Sequence, residues 1–318
     1  MTNVFNAQST SDEVAKHLAD SIKGQVVLIT GTTIGSLGFE AARTIAKHQP
    51  RLVVLVGRSE EKLSEAKEAI IKDNTNANVR LLVADFGSFA SVSAAAKEVN
   101  SYSEPIDVFI NNAAIAQPYS RTVDGYDLLL QTNYLSPFLF MHLIEPKLLA
   151  STSPARIVNV SSAAHAMSDV DIENFEKPDE KTYNKWVAYA QSKTLVQLFS
   201  LELKKRLESK GITVFTLHPG TIKTNYANEG TAEELKAIGL GHLLDADGNI
   251  GNNEHWKSLP QGAATHIVAA FDPALKSSNG AYIVDCNVAN DQEADYAKDE
   301  KKALELWQKT EKILEKYW

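Results

Sequence analysis

A tyrosine and a lysine at helical spacing, Tyr189 and Lys193, are the side chains in this sequence best suited to moving a proton. They fall in a helical pattern over residues 183–209, where residues four apart lie one turn apart on the same face. A tyrosine hydroxyl has a pKa of about 10, so it is a poor base at neutral pH unless a positive charge stands beside it. Lys193 can supply that charge, which makes the pair a candidate proton donor and acceptor for a carbonyl/alcohol couple. The same spacing also occurs on ordinary solvated helix faces, so the residues upstream must show whether the pair is catalytic.

A glycine-rich turn near the N-terminus could hold a phosphate. It contains Gly31, Gly35 and Gly38, follows a short apolar run and precedes a helical pattern that stops at Pro50. Glycines let the backbone approach a pyrophosphate, whose charge is held by the helix N-terminus. We therefore predict a dinucleotide cradle rather than a plain strand-to-helix turn, with contacts from Gly31, Thr33, Ile34, Ser36, Leu37 and Gly38.

The second apolar run, residues 52–56, ends in Gly57-Arg58-Ser59. An acidic residue in this place would hold the ribose 2′-hydroxyl of NAD, whereas an arginine suits the 2′-phosphate of NADP. Arg58, helped by Ser59, therefore predicts NADP (NADPH) as the cofactor. The alternative is a surface arginine at the end of a strand.

Alternating elements must position these residues. Nearly continuous apolar runs at 25–30, 52–56, 79–83, 107–110, 156–160 and 212–217, with a seventh at 281–284, are typical of strands buried on both faces. Helical patterns separate them, including a long one over 123–149. The alternation predicts a Rossmann-type, doubly wound α/β fold: a seven-stranded, mostly parallel sheet with helices on both faces. Its ligand should lie beyond the carboxyl ends of the strands, which gathers the glycine turn, Asp85 and residues 111–114 in one crevice.

The 318 residues fit one domain, since no linker or change in composition divides them. We expect an N-terminal extension with a short helix (1–23), an active-site insertion (163–185), a substrate-loop region (225–259) and a C-terminal helix (290–318). The net charge of −8, without a basic run, disfavours nucleic acid and anionic membranes as partners. Neither a signal sequence nor an apolar run long enough to cross a bilayer is present, so we expect a cytoplasmic protein. Cys286 is the single cysteine, which excludes an internal disulfide.

Metal binding is not expected. The histidines are scattered without metal-ligand spacing. The stretch Asp245 to Ile250 begins like a calcium loop, but it has Ile250 where the required glycine would stand and Trp256 at the twelfth position.

Taken in order, these residues resemble the short-chain dehydrogenase/reductase family, in its single-domain branch, over about residues 23–288. The segment 186–192 and the site of Arg58 are similar to retinol-dehydrogenase-like and fungal carbonyl reductase members. The matching motifs are Thr30-Gly31 with its glycine-rich turn, Asp85, Asn111-Asn112-Ala113-Ala114, Asn133, Ser162, Tyr189-x-x-x-Lys193 and Pro219-Gly220.

The glycine turn departs from the family pattern Gly-x-x-x-Gly-x-Gly, because Gly38 comes one residue late. Either Gly35 is the middle glycine of a stretched turn, or Ser36 takes its place and the extra residue lies earlier. A second departure is Ala114, where the family has glycine; the methyl group is tolerated if φ is negative.

A third departure is the distance between Ser162 and Tyr189, 27 residues (189 − 162), which exceeds that in most members. The added segment, 163–185, is expected to loop over or beside the active-site mouth.

The resemblance implies hydride transfer between a nicotinamide and a carbonyl or alcohol carbon. Tyr189 would exchange a proton with the substrate oxygen, and Ser162 would hydrogen-bond the same oxygen. Lys193 would lower the pKa of Tyr189 and bind the nicotinamide ribose, while Asn133 would hold a water that links Lys193 to solvent. Asp85 would bind the adenine edge. The other implied cofactor contacts, besides Tyr189 and Lys193, are Phe86, Asn111, Ala113, Pro219, Gly220, Ile222 and Thr224.

The substrate is expected to be a small hydrophobic ketone or aldehyde, or its alcohol, because both variable stretches are rich in apolar residues. These are Met167 and Phe175 in the first stretch and Tyr226, Leu235, Ile238, Leu240, Leu243 and Trp256 in the second. Two alternatives remain: a catalytically silent NADP-binding sensor, and an epimerase or dehydratase, which would want a larger C-terminal domain. Relatives often pair through the two long helices, so a homo-oligomer through 123–149 and 183–209 is a further expectation.

Overall fold

The computed structural model describes residues 4–222, 232–237, 241, 244–245, 247–248 and 256–318. Its centre is one sheet of eight strands in the order β3-β2-β1-β4-β5-β6-β7-β8. The first seven strands are parallel, and β8 runs antiparallel to β7. The strands are β1 Val26–Thr30, β2 Leu52–Gly57, β3 Val79–Val83, β4 Val108–Asn111, β5 Arg156–Val160, β6 Thr213–His218, β7 Tyr282–Val284 and β8 Asn287–Val288.

The eighth strand corrects the prediction of seven. It is two residues long and pairs with β7 across a two-residue turn made by Asp285 and Cys286. Both turn residues have positive φ, 51° and 66°, as in the type I′ turns of tight hairpins. Such turns are usually marked by Asn-Gly or Asp-Gly, and neither pair occurs here.

Helices cover both faces of the sheet. Successive strand residues point to opposite faces, so Val26 and Leu28 enter one core while Val27 and Ile29 enter the other. One layer contains α5, α7, α8 and α11, and the other contains α1, α3, α4 and α10. The helices are α1 Ser11–His17, α2 Ala19–Ile22, α3 Leu37–Ala46, α4 Glu60–Asp73, α5 Phe89–Ser101, α6 Leu128–Leu130, α7 Ser136–Leu149, α8 Lys185–Glu208, α9 Ala232–Ala237, α10 Leu259–Phe271 and α11 Glu300–Leu314.

The long helix predicted over 123–149 begins later than expected. Asp127 caps its first turn by accepting from the N–H of Leu130, and Arg121 and Asp127 form an isolated β-bridge just before it. The helix then passes through a π-helical turn, Gln131–Leu135, before α7. The C-terminal helix is also shorter than the predicted 290–318: residues 290–298 contain two 3₁₀ turns, and α11 starts at Glu300.

The last helix, α11, covers the outer face of the two long helices. The ring of Trp307 lies 4.7 Å from that of Phe138 and stacks at 5.8 Å on that of Phe199. Beside them, the hydroxyls of Tyr134 and Thr310 are hydrogen-bonded at 2.7 Å. Within the described ranges, no helix is long and apolar enough to cross a membrane.

Candidate active site

The predicted site residues follow the carboxyl ends of six adjacent strands. The sheet reverses its direction of growth between β1 and β4, so a crevice opens above these two neighbours. Gly31 follows β1, Arg58 follows β2, Asp85 lies just beyond β3, Asn111 ends β4 and Ser162 lies just beyond β5. Pro219 follows β6. The fold therefore brings together the motifs that the sequence scatters over about 190 residues (219 − 31 = 188).

The glycine-rich turn has room only for glycine at both ends. Gly31 has φ +74°, which favours glycine. A Cβ on Gly38 would lie 2.6 Å from both the Gly31 carbonyl oxygen and the Asn112 Nδ2. Gly38 thus provides the close packing of helix against strand that this type of turn requires.

Ser36 occupies the cap of α3. Its Oγ accepts from the N–H of Phe39 at 3.1 Å and donates to the carbonyl of Gly31 at 2.7 Å. Since Ser36 lies two residues before Gly38, it stands where Gly-x-Gly would place the middle glycine. The geometry favours the second alternative for the departure in this turn: Ser36 replaces that glycine, and the extra residue lies between Gly31 and Ser36. Gly35, at φ +85°, absorbs the extra length.

The polar residues predicted for the adenosine end follow the neighbouring strands β2 and β3. Arg58 is exposed after β2, while Ser59 caps α4 by accepting from the N–H of Lys62 at 3.3 Å. Asp85 is exposed beyond the neighbouring β3, and its Oδ1 accepts from the N–H of Gly87 at 2.9 Å. Arg58 and Asp85 therefore carry open charges at one edge of the crevice.

The side chain of Phe86, a predicted cofactor contact, faces the core. Its ring is buried in the core, edge-on to Phe140 at 5.8 Å, and its carbonyl accepts from the Ser136 hydroxyl at 2.7 Å. The cause is the alternation of side chains after β3, which turns Asp85 outward and Phe86 inward. The contact between Phe86 and the cofactor stays a prediction.

A set of hydrogen bonds that the sequence did not reveal joins the ends of β1 and β4, where the sheet reverses its direction of growth. The Thr30 Oγ1 accepts from the N–H groups of Asn112 and Ala113, each at 2.9 Å. Asn112 returns a bond from Nδ2 to the Thr30 carbonyl at 2.9 Å. The buried His266 of α10 contacts the Asn112 Oδ1 through Nε2 at 3.2 Å. The signal in the sequence was a lone histidine inside an apolar helix, which motif comparison does not use.

Two other residues of the motif at the end of β4, Ala114 and Asn111, also fit the structure. Ala114 has no positive φ, so the methyl group in place of the family's glycine is tolerated. Asn111 donates from Nδ2 to the Asn159 Oδ1 at 3.1 Å, across the pair of strands β4 and β5. Asn111 is thus anchored within the sheet at the base of the crevice.

The hydroxyls of Ser162 and Tyr189 are hydrogen-bonded to each other. The Ser162 Oγ also accepts from the N–H of Ala164 at 3.1 Å, which leaves its own proton for donation toward Tyr189. Burial raises the pKa of Tyr189 to about 12, although the hydrogen bond from Ser162 opposes the rise. Tyr189 is therefore protonated at neutral pH.

Lys193 lies under the tyrosine ring. Its Nζ is 5.5 Å from the Tyr189 ring centroid and donates to the Val160 carbonyl at 2.8 Å. Burial lowers the pKa of Lys193 to about 8. Burial thus raises the pKa of Tyr189 and lowers that of Lys193, and the lowering of the Tyr189 pKa by Lys193 stays a prediction.

Asn133 belongs to the π-helical turn and is almost fully buried. Its Oδ1 accepts from the Ile115 N–H at 2.8 Å, while its Nδ2 donates to the Ile115 carbonyl at 2.9 Å and to the Ser192 hydroxyl at 3.0 Å. The side chain thus fixes the loop after β4 against α8, next to Lys193. Its role in holding a water stays a prediction, and the Asn133 side chain already has these three bonds.

The far side of the crevice is closed by α10 and the residues after β6. A Cβ on Gly262 would lie 2.7 Å from both Ile222 and Leu37, so these two side chains converge on α10. Gly220 has φ +95°, and a Cβ there would meet Lys257 at 2.5 Å. Ile222, predicted to face the nicotinamide, is thus held in place. Thr224, its predicted companion, lies outside the described residues.

An open cavity of about 850 Å³ lies at the start of α8 and reaches Ala190, the residue after Tyr189. Two short stretches of the insertion 163–185, together with the first turns of α8, form much of its wall. Tyr183 is half-buried, and its hydroxyl donates to the buried Asp127 at 3.2 Å. The lining residues are Pro118, Tyr119, Met167, Ser168, Glu180, Tyr183, Asn184, Lys185, Trp186, Val187 and Ala190.

Not every apolar residue expected at the mouth lies there. Phe175 packs on the core, with its ring 5.9 Å from that of Tyr134, rather than in the cavity. Trp256 is half-buried before α10. In the second variable stretch, Tyr226, Ile238, Leu240, Leu243 and the side chain of Leu235 fall outside the described residues.

The chain is similar in sequence and in fold to known short-chain dehydrogenases. A family model described as "short chain dehydrogenase" matches residues 25–175. The chain is 36% identical over 274 residues to the short-chain dehydrogenase/reductase prx1 of Penicillium roqueforti, covering 85% of this chain and 76% of the relative. It is 32% identical over 287 residues to human retinol dehydrogenase 11, covering 90% of this chain and 84% of the relative. Among solved structures, the NADPH-bound carbonyl reductase from chicken fatty liver superimposes with a TM-score of 0.60 at 20% identity, covering 84% and 97% of the two chains.

Proposed function

The chain belongs to the short-chain dehydrogenase family of oxidoreductases, and from this premise we propose that it uses NADP(H) to interconvert a hydrophobic ketone or aldehyde and its alcohol. The observation that carries the proposal is the hydrogen bond between Ser162 and Tyr189, with the Lys193 Nζ 5.5 Å from the tyrosine ring. A carbonyl that accepts hydride develops negative charge on its oxygen, and two hydroxyl donors aimed at that oxygen stabilise it.

The protonation state of Tyr189 suits the step in which a carbonyl oxygen gains a proton. Because burial raises its pKa to about 12, the hydroxyl carries its proton at neutral pH and can act as the general acid. Ser162, whose oxygen already accepts from Ala164, is oriented to donate to the same substrate oxygen. The bound nicotinamide would supply the hydride, while these residues supply position and the proton.

Lys193 and Asn133 support this arrangement. Lys193 is buried under the ring and held by the Val160 carbonyl, from which it can turn its remaining donors toward a ribose. Asn133 fixes α8 through Ser192, one residue before Lys193. We propose that both residues keep the Tyr189 hydroxyl aimed into the crevice.

The preference for NADP rests on Arg58. Arg58 is exposed just after β2, and an arginine in this part of the fold suits a 2′-phosphate by charge and geometry. Ser59 adds a hydroxyl at the start of α4. The NADPH bound to the carbonyl reductase of similar fold agrees with this proposal.

The aromatic wall of the cavity supports a hydrophobic substrate. Tyr119 and Tyr183 meet edge to face at 5.3 Å, and Met167 contributes an apolar side chain that is 49% exposed. A volume of about 850 Å³ lies in the range of small-molecule sites.

The pairing predicted through 123–149 and 183–209 would have to displace α11. Trp307 already packs against both Phe138 of α7 and Phe199 of α8, whose rings also contact each other. We therefore expect that this face is not a dimer interface.

The test is to follow NADPH oxidation against a panel of aliphatic, aromatic, steroid and retinoid carbonyls, with NADH in parallel. We expect turnover with at least one bulky apolar carbonyl and a lower KM for NADPH than for NADH. No consumption with any carbonyl would contradict the proposed reaction.

A further inference from the structure

A fully buried histidine, His165, sits three residues after Ser162 in the 3₁₀ turn Ala163–Met167. Its Nδ1 is 2.7 Å from the Ser162 carbonyl, which also accepts from the His165 N–H at 3.1 Å. On the other side of the ring, Nε2 is 3.2 Å from the N–H of Ala294. One imidazole thus joins the main chain of Ser162 to a segment 129 residues farther along (294 − 165).

The two partners fix the state of the ring. The Ala294 N–H can only donate, so Nε2 accepts; the Ser162 carbonyl can only accept, so Nδ1 carries the proton. A neutral imidazole has one donor and one acceptor, and both are used here. Burial lowers the pKa of His165, which keeps the ring neutral.

His165 is tied to the catalytic helix as well. Its carbonyl accepts from the Thr194 Oγ1 at 3.0 Å and from the Tyr296 hydroxyl at 2.8 Å. Thr194 directly follows Lys193. The ring also packs edge-on against Tyr282 of β7, 5.2 Å between centroids. Elements from β5 to the C-terminal segment (residues 290–298) therefore meet at this residue.

We propose that His165 is a positioning residue for the reaction: its Nδ1–H holds Ser162 in place, and its Nε2 anchors the C-terminal segment behind the active site. The inference rests on the proposed function, in which Ser162 touches the substrate oxygen. His165 itself acts only through Ser162. Packing alone does not account for it, because an apolar ring would leave the Ala294 N–H without this buried acceptor.

Two substitutions separate the two bonds. The amide of Asn reaches the place of Nδ1, and the amide of Gln reaches the place of Nε2. In His165→Asn the bond to Ser162 is kept, so we expect kcat within about threefold of wild type and faster amide hydrogen exchange in residues 290–298. In His165→Gln the bond to Ala294 is kept, so we expect protected exchange there and a kcat lower by about tenfold or more, since small misplacements of a catalytic group have effects of that size.

The KM for NADPH should be unchanged in both variants, and equal melting temperatures would establish that both fold. Equal losses of kcat in His165→Asn and His165→Gln would reduce His165 to a packing role and overturn the proposal. An unchanged kcat in His165→Gln would overturn it as well.

A second readout does not depend on turnover. Nitrogen NMR of the wild-type ring should show the neutral tautomer with the proton on Nδ1, and a proton on Nε2 or a charged ring would sink the proposal. If the wild-type protein reduces no carbonyl but shows this tautomer and the exchange pattern above, the proposed function fails while the link through His165 stands.

Discussion

The hydroxyl of Ser162 is hydrogen-bonded to that of Tyr189, while its oxygen accepts from the Ala164 N–H. Because its oxygen is engaged by Ala164, the serine keeps its proton for a partner on the side of Tyr189. The two residues are 27 positions apart in the sequence (189 − 162). Their contact provides two hydroxyl groups side by side, which the helical spacing of Tyr189 and Lys193 alone does not predict.

Removing the tyrosine hydroxyl should stop the reaction without emptying the crevice. In Tyr189→Phe we expect kcat to fall by roughly 10² to 10⁴-fold, the usual contribution of a positioned acid, with little change in the dissociation constant for NADPH. The control is Tyr183→Phe, which removes a hydroxyl from the cavity wall and should alter KM for the carbonyl more than kcat. Steady-state kinetics and NADPH fluorescence titration measure both, and wild-type rates in Tyr189→Phe would exclude the mechanism.

The cofactor preference should depend on one exposed charge. Arg58→Ala is expected to weaken NADPH by about tenfold or more, as the loss of a hydrogen bond to a charged group does, and to leave NADH nearly unchanged. Arg51, exposed at the opposite end of β2, provides the matched control Arg51→Ala. Equal weakening of the two cofactors in Arg58→Ala would remove the argument for NADP.

The cap of α3 offers a test of the unusual glycine turn. Ser36→Ala should cost about 1 kcal/mol of unfolding free energy, because it removes the acceptor for the Phe39 N–H, whereas Ser36→Gly should cost only a few tenths. Urea denaturation compares the two. If Ser36 stands in the place of the middle glycine, Ser36→Gly should also keep its affinity for NADPH, and a large loss of affinity would favour Gly35 instead.

A carboxyl in the C-terminal segment should make stability depend on pH. Burial raises the pKa of Glu293 from 4.5 to about 7, against the opposing charge of Lys298. The folded state then binds a proton more tightly than the unfolded state, so the stabilising contribution is present below pH 4.5 and is lost as the pH rises through 7. Wild type and Glu293→Gln should be similarly stable at pH 4.5, and the variant should be the more stable above pH 7. Denaturation curves over this range decide, with Asp291→Asn as an exposed control; a difference independent of pH would contradict the assignment.

The mass in solution should follow from the position of α11. We expect light scattering to give one chain, 34.8 kDa, since Trp307 packs against both long helices. Trp307→Ala should cost about 3 to 5 kcal/mol, the usual range for a large aromatic removed from a core. A stable dimer of the wild-type protein would show that pairing uses another surface or that α11 moves.

The parallel part of the sheet was predictable because its strands are short apolar runs, buried on both faces and separated by helical patterns. The hairpin to β8 was not, since its turn is Asp285-Cys286 and the strand has two residues. The start of the long helix was misplaced because Val123, although apolar, is 86% exposed in the turn before the cap at Asp127.

The candidate site divides in the same way. Tyr189, Lys193, Ser162 and Asn133 could be found because their types and order match a family pattern. The bonding roles of Asn112, which lies in a matching motif, and of His165 and His266 could not be predicted, since each bonds atoms of a segment far away in the sequence. Such partners become visible only when the chain is folded, and the burial of Phe86 likewise depends on which face of β3 meets the core.

The cover formed by Trp307 also has a consequence during synthesis. The tryptophan lies 99 residues after the end of α8 (307 − 208), so the nascent chain carries every residue of the proposed proton-transfer site long before α11 is made. Until then the rings of Phe138 and Phe199 have no cover from Trp307, and exposed apolar surface of this kind promotes aggregation. A chain released before α11 is made would therefore contain the proposed catalytic residues but expose the apolar surface of α7 and α8. A chaperone would have to bind that surface to prevent aggregation.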